Sequence, residues 1–404
     1  MTAPAAQAQT FQILYNFTGG RDGANPLGGL TAGANGNLYG TASAGANQVY
    51  GCNNSSYGNT GCGSVFELAR SGTGWILRPL YDFQGGSDSG NPSNIVTFGP
   101  DGALYSTAGG LNCSNFNVCG DVFRLAPPPN ICSSFLCYWQ ETVLHSFTGQ
   151  PDGSYPASSV LFDSSGNMYG LTFFGGAANI GAMYKLSKSG GSWTESVPYS
   201  FVENSNGYGV YFPGGQWTID SSGNLYGTAA CSTTLSCFYG AVFQLQPGQS
   251  GWTLNELYDF TGYNGYDPQG VIRDSSGNLY GATSGADGGG NDSAGIYELS
   301  PSNGGWNFTQ LYNYGGFGED NTANLVMDSA GNLYGTNSIT GYGSVFKLSP
   351  SGSGWTFTTL YSFTGGSDGE GPGGQLVLDS AGNLYGTAWK GGKYGQGIIW
   401  EITP

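Results

Sequence analysis

The sequence predicts an all-β fold, a seven-bladed β-propeller with four-stranded antiparallel blades, on three observations. One short motif recurs seven times, glycine and aromatic residues abound while charge is scarce, and the two chain ends read as complementary pieces of a single repeat. Glycine supplies 74 of 404 residues and aromatics 14%, against 9% charged. Glycine at that density disfavours helix, at about 1 kcal/mol per interior position, and suits tight turns between short strands. The aromatic content provides enough apolar surface to build a core, so composition argues against disorder.

Taken in chain order, residues 1–10 read as a signal-peptide remnant, with Ala6, Gln7 and Ala8 matching a small-residue cleavage pattern ahead of Gln9, or as a disordered Ala-rich leader. Residues 11–404 read as one domain. Its first element, from Phe11 to Phe17, is an orphan copy of the strand that ends every other repeat. Each repeat then supplies four strands, A to D. Strand A opens on small residues (Gly28 and Gly29, Ser158 and Ser159, Gly214 and Gly215), because innermost strands converge where bulky side chains would collide. An Asp-Ser-Ser/Ala-Gly-Asn turn follows at Asp163, Asp220, Asp274, Asp328 and Asp379. Asp accepts from the backbone two residues on, and Gly supplies the positive φ of a hairpin turn.

Strand B carries the repeat tyrosines Tyr39, Tyr105, Tyr169, Tyr226, Tyr280, Tyr334 and Tyr385 within Leu-Tyr-Gly-Thr or a close variant. Strand C is Val-Phe-x-Leu, with the polar x position (Glu67, Arg124, Gln244, Lys347) alternating outward as on a half-buried strand. Strand D opens with Trp75, Trp139, Trp193, Trp252, Trp306 or Trp355 and ends in Leu-Tyr-x-Phe. The seventh strand C lies at 399–402 with no strand D after it. Pairing with the N-terminal strand completes that last blade, whereas an open solenoid would need polar caps.

The full pattern, Leu-Tyr-x-Phe-Thr-Gly-Gly-x-Asp-Gly followed by Asp-Ser-Ala-Gly-Asn-Leu-Tyr-Gly-Thr and Gly-x-Val-Phe-x-Leu, resembles the GloVer-type tandem repeat of secreted bacterial proteins. The resemblance spans 11–404, is sharpest at 360–404, and is weakest at 201–228, where the Asp-Gly turn is missing. It implies secretion and a propeller, and no particular reaction.

A net charge of −16 with ten Lys plus Arg in no cluster argues against nucleic acid as a partner. No apolar run approaches the roughly 20 residues of a membrane span. Eight cysteines fall into close pairs, Cys52 with Cys62, Cys113 with Cys119, Cys132 with Cys137 and Cys231 with Cys237. Such pairing reads as disulfides formed in an oxidising compartment, hence an extracellular or cell-surface protein.

Candidate site residues follow from the loops. Asp22, Asp88, Asp152 and Asp368, with Asp320 and Glu319 in the sixth repeat, recur between strand D and the next strand A. As a ring of hard oxygen donors they are candidate Ca²⁺ ligands, although turn chemistry is the favoured account of them and no cofactor is required. Tyr50, Tyr57, Phe116 and Phe238 sit in the loops between strands B and C, and Tyr208, Tyr211 and Trp217 break the pattern in the fourth repeat. These aromatics are candidates for stacking on a sugar or contacting a protein, and packing over the blade tops, or drift in the fourth repeat, accounts for them equally. The sole histidine, His145, occupies the strand-D slot of Tyr15, Tyr81, Tyr258 and Tyr361, which leaves no partner for His-based catalysis. The expectation is a non-catalytic extracellular module that binds glycan or protein. The alternatives are a self-associating structural subunit of a surface assembly, or a polysaccharide hydrolase or lyase.

Overall fold

Apolar–polar alternation between Gly-bearing turns folds every repeat into antiparallel strands, and no α-helix occurs among the described residues. The structure, a computed structural model, describes residues 9–47, 52–54, 59–85, 88–109, 120–128, 139–203, 210, 213–232, 239–261, 263–284, 294–314, 324–338, 341–352 and 354–404. In the first repeat Leu30–Ala32, Leu38–Ala42, Ser64–Ser71 and Gly74–Asp82 lie side by side in chain order as a four-stranded sheet. The second repeat (Thr97–Phe98 to Gln140–Ser146) and the sixth (Val326–Met327 to Gly354–Ser362) repeat that order. The third adds a short strand, Ser154–Pro156, and the fourth and fifth join into eight strands through a parallel contact of Gln216 with Gly270. None of these sheets closes on itself.

The chain ends meet as the orphan strand predicts. Thr10–Asn16 pairs antiparallel with Ile398–Thr403, Phe11 opposite Ile402 and Ile13 opposite Trp400. Close approach of the innermost strands explains the glycines there. Gln375 N donates to Gly28 O at 3.1 Å, and a Cβ on Gly29 (φ +83°) would lie 2.1 Å from that same nitrogen.

The core lies between sheets. Buried hydrophobics among the described residues form seven clusters, each shared by two neighbouring repeats. One of them, with Phe17, Leu30, Phe66, Tyr385 and Ile399, joins the last repeat to the first. Each seam is pinned by the same contact: the final aromatic of strand D packs edge-on against the strand-C aromatic of the next repeat. The pairs are Phe17–Phe66, Phe83–Phe123, Phe147–Tyr184, Phe201–Phe243, Phe260–Tyr297, Tyr314–Phe346 and Phe363–Trp400, with centroids 5.0 to 6.1 Å apart.

The turn between strands A and B is a polar clamp. In the last repeat, Asp379 Oδ1 accepts from the backbone N–H groups of Ala381 and Asn383, each at 2.9 Å. Its Oδ2 accepts from Asn383 Nδ2 at 2.9 Å and from the Tyr385 hydroxyl at 3.1 Å. Burial alone would raise this carboxyl, but the hydrogen bonds outweigh it and hold the group below the ordinary carboxylate range.

Candidate functional site

In an antiparallel A–B–C–D order, the start of A, the end of B, the start of C and the end of D share one edge, so the D–A and B–C loops open on one face. The described large apolar side chains that stand exposed concentrate there: Tyr155, Val202, Tyr263, Tyr342 and Tyr394. Ile76, on an outermost strand, is the exception. The same face holds an open pocket of about 460 Å³ built by the second to fifth repeats. Its walls are Ser93 and Asn94, Tyr155 to Ala157, Phe173, Gly214 and Gly215, Thr228 to Ala230, and Tyr266 to Gln269. Ser93, Asn94 and Gly215 also line a narrower cavity of about 90 Å³, together with Leu27, Gly28, Asn324, Gly374 and Gln375. With Ser159 of the third repeat, the small residues that begin strand A therefore bring six repeats to the narrower cavity.

Tyr155 is the anomaly in this pocket. The residue before the strand-A proline has positive φ in repeat after repeat: Asn25 (53°), Asn91 (52°), Asp267 (43°) and Gly371 (64°). Those residue types tolerate the left-handed region, whereas a tyrosine there is strained. Tyr155 nevertheless adopts φ 58° and leaves 51% of its surface exposed. Its ring meets Phe173 edge-on at 6.0 Å, and Tyr266 stands elsewhere in the same wall. Polar groups accompany the rings. Asn94 Nδ2 donates to Thr107 Oγ1 at 2.7 Å and to Pro156 O at 3.2 Å, fixing the wall between the second and third repeats. Gln269 Nε2 donates to both Asp267 O at 2.9 Å and Asp267 Oδ2 at 2.8 Å. Burial pushes the Asp267 carboxyl up, and the Gln269 hydrogen bond only partly opposes it.

The acidic loop residues are committed locally. Asp22 accepts from Tyr15 hydroxyl at 3.1 Å, Thr18 N at 2.7 Å and Thr18 Oγ1 at 2.6 Å. Asp368 repeats this with Tyr361, Thr364 N and Thr364 Oγ1 at 2.9, 2.9 and 2.6 Å. Asp88 takes Tyr81 hydroxyl and Gln84 N at 2.9 and 2.8 Å. In the third repeat His145 Nε2 stands in for the tyrosine hydroxyl, 3.1 Å from Asp152, and Thr148 supplies the rest. Asn264 plays the same part against Thr261. No group of three or more His, Cys, Asp or Glu side chains suited to a metal ion occurs among the described residues. Asp320 and Glu319 lie outside those residues.

Of the aromatic candidates, Trp217 is a core residue: it is buried, and its indole N–H donates to Ser159 O at 2.7 Å. Tyr50, Tyr57, Phe116, Tyr208, Tyr211 and Phe238 lie outside the described residues. Cys52 and Cys62 form the disulfide expected of them, and Cys231 is disulfide-bonded. Cys113, Cys119, Cys132, Cys137 and Cys237 lie outside the described residues. Sequence reasoning passed over Tyr155, Phe173, Tyr266 and Asp267. A signal existed for Tyr155, since it is a bulky ring where the first, second, fifth and seventh repeats place Asn, Asp or Gly, although the fourth repeat also has a ring, Phe212, before its proline.

The Gloeobacter/Verrucomicrobia repeat matches the chain twice, over 135–339 and 212–404, which together exceed half of its length. The chain belongs to that family. No curated protein matches this Gloeobacter/Verrucomicrobia repeat protein in sequence. Among solved structures it is similar to an ulvan lyase, a polysaccharide lyase, with TM-score 0.56 and 10% identity over 94% of this chain and 93% of that one. It is also similar to PorZ of Porphyromonas gingivalis, a bacterial surface component of the type-IX secretion system, with TM-score 0.51 and 14% identity. That match covers 92% of this chain and 46% of PorZ. Both neighbours are propeller-like, and at these identities the likeness is one of fold. No helix among the described residues is long and apolar enough to cross a membrane.

Proposed function

We propose that this protein is a secreted, non-catalytic binding module, a closed seven-bladed propeller that holds a glycan in the pocket beside Tyr155. The seven inter-repeat clusters and the pairing of the two chain ends support the ring. The Cys52–Cys62 disulfide supports an oxidising compartment. The strained, exposed Tyr155 carries the functional reading. Backbone strain at a bulky residue costs about 1–3 kcal/mol and persists where function uses it. Facing Phe173 across the pocket wall, the Tyr155 ring offers the apolar face that a pyranose covers, with amide and carboxylate groups placed for its hydroxyls. A hydrolase would need two carboxyls flanking the bond, and Asp267 is the one acid in the described lining. Because the loop aspartates serve their own turns, binding is proposed to be independent of Ca²⁺.

The test is a glycan-array screen of oxidised protein, run with Ca²⁺ and with EDTA, followed by Tyr155→Asn. Asn occupies the equivalent position in two other repeats at nearly the same φ. The variant is expected to bind about tenfold more weakly while its thermal stability holds or rises by about 1 kcal/mol. Weaker binding with lower stability would mark Tyr155 as structural. Loss of binding in EDTA would restore the acidic loops as Ca²⁺ ligands, and silence on every glycan would turn the search to a protein partner.

A further inference from the structure

The sequence holds ten Lys plus Arg and one His, and every one of them is in the described residues. None lines the pocket. They are engaged elsewhere: Arg21 with Asp82, Arg78 with Glu67 and Arg124 with Asp101, while Arg70, Arg273 and the lysines sit over aromatic rings. The pocket is therefore without a cation of its own, and the one charged group in its described wall is Asp267. Gln269 occupies Oδ2 of that carboxylate, while Oδ1 accepts no hydrogen bond among the described residues. A carboxylate so placed is short of donors, and a sugar hydroxyl is a donor.

Resting on the glycan reading, we infer that the pocket selects sugars without negative charge, with Asp267 as the specificity-determining acceptor and Tyr155 and Phe173 as the stacking surface. Uronate or sulfate groups would meet Asp267 with no Lys or Arg to neutralise them, inside a molecule whose net charge is −16. Discrimination of this kind arises from repulsion of the wrong ligand as much as from attraction of the right one. The raised carboxyl of Asp267, a consequence of its burial, agrees with a group that gains from a donor in the pocket.

The experiment is calorimetric titration with matched oligosaccharides that differ only at C6, galactose against galacturonate and glucose against glucuronate oligomers. The same pairs are then titrated into Asp267→Asn. Asn25 and Asn91 hold the equivalent position at comparable φ, so the variant keeps its backbone. The wild type should bind a neutral oligomer and reject its uronate partner by at least about tenfold, and Asp267→Asn should bring the two within a few-fold. Preference for the uronate, or an unchanged ratio in the variant, would overturn the charge selection and leave the glycan reading standing. Absence of binding to all four oligomers and to every sugar of the array would overturn both.

Discussion

Glu195 stands where the repeat otherwise places an apolar side chain. It pairs with Leu186, just as Leu77, Leu254, Phe308, Phe357 and Phe11 pair with Leu68, Leu245, Leu299, Leu348 and Ile402. The phenylalanines at this position stack on Tyr258, Tyr312 and Tyr361 of the preceding repeat at 4.6, 4.1 and 3.7 Å. Glu141, opposite Leu125, is the second exception. Each leaves Oε1 buried without a hydrogen-bond partner. Burial, reinforced by Asp152, pushes Glu195 up to about 7, and burial with Asp88 and Asp121 does the same for Glu141. Folded carboxyls raised above their unfolded value contribute stability that is complete below about pH 4.3 and declines as pH rises to about 7. His145, which burial pulls down against the opposing Asp152, works in the reverse sense: its contribution is present above its unfolded pKa and lost as pH falls through the folded one. We expect Glu141→Leu with Glu195→Leu to leave stability at pH 4 nearly unchanged and to raise it at pH 7.5 by about 1 kcal/mol per site, after allowance for solvent screening of half-buried groups. Urea midpoints at the two pH values decide it, and an equal gain at both would mean that packing rather than titration is responsible. The substitution of Glu for an apolar residue is visible in the sequence once strand D is aligned, but its consequence depends on which neighbour it faces.

The strands and turns are the scale at which the sequence was most readable. Alternation in Val-Phe-x-Leu, the Gly-Asn turn and the Trp that opens strand D each carry their own backbone instruction, so their elements appear where the pattern puts them. The pocket was less readable, because it is assembled from four repeats and rests on a φ sign that no single repeat reveals. The clamp at the A–B turn offers a test of how much one element owes to one side chain. Asp379→Ala removes four hydrogen bonds, two of them to backbone N–H groups that open the hairpin. Partial exposure discounts the loss, and a decrease of about 1–2 kcal/mol is expected in urea unfolding. Asp379→Asn retains one acceptor oxygen and should recover about half. A neutral Asp379→Ala would mean that Gly382, with φ 86°, sets the turn unaided.

At the scale of the whole molecule, closure is the property on which the ring reading depends. The seven clusters are all formed between repeats, so an open chain of the same sheets would leave a face of its first and last members uncovered. The N-terminal strand covers both problems at once. Its backbone satisfies the edge of Ile398–Thr403, Phe11 stacks on Tyr361, and Phe17 is fully buried against Phe66. A variant beginning at residue 18 loses these together and exposes an unpaired edge rich in Ile and Trp, the kind that recruits other strands. We expect a stability loss on the order of 5 kcal/mol from the apolar side chains removed, with association that grows with concentration in analytical ultracentrifugation. A synthetic peptide of residues 9–17 supplied in trans should restore both the midpoint and the monomer, because the seam it fills is already shaped by the rest of the chain. A truncated protein that stays monomeric and unfolds at the parent's midpoint would show that the terminal strand is an ornament on a structure held by other means. Rescue by the peptide would instead show that the seam between the two chain ends holds the structure through non-covalent contacts alone.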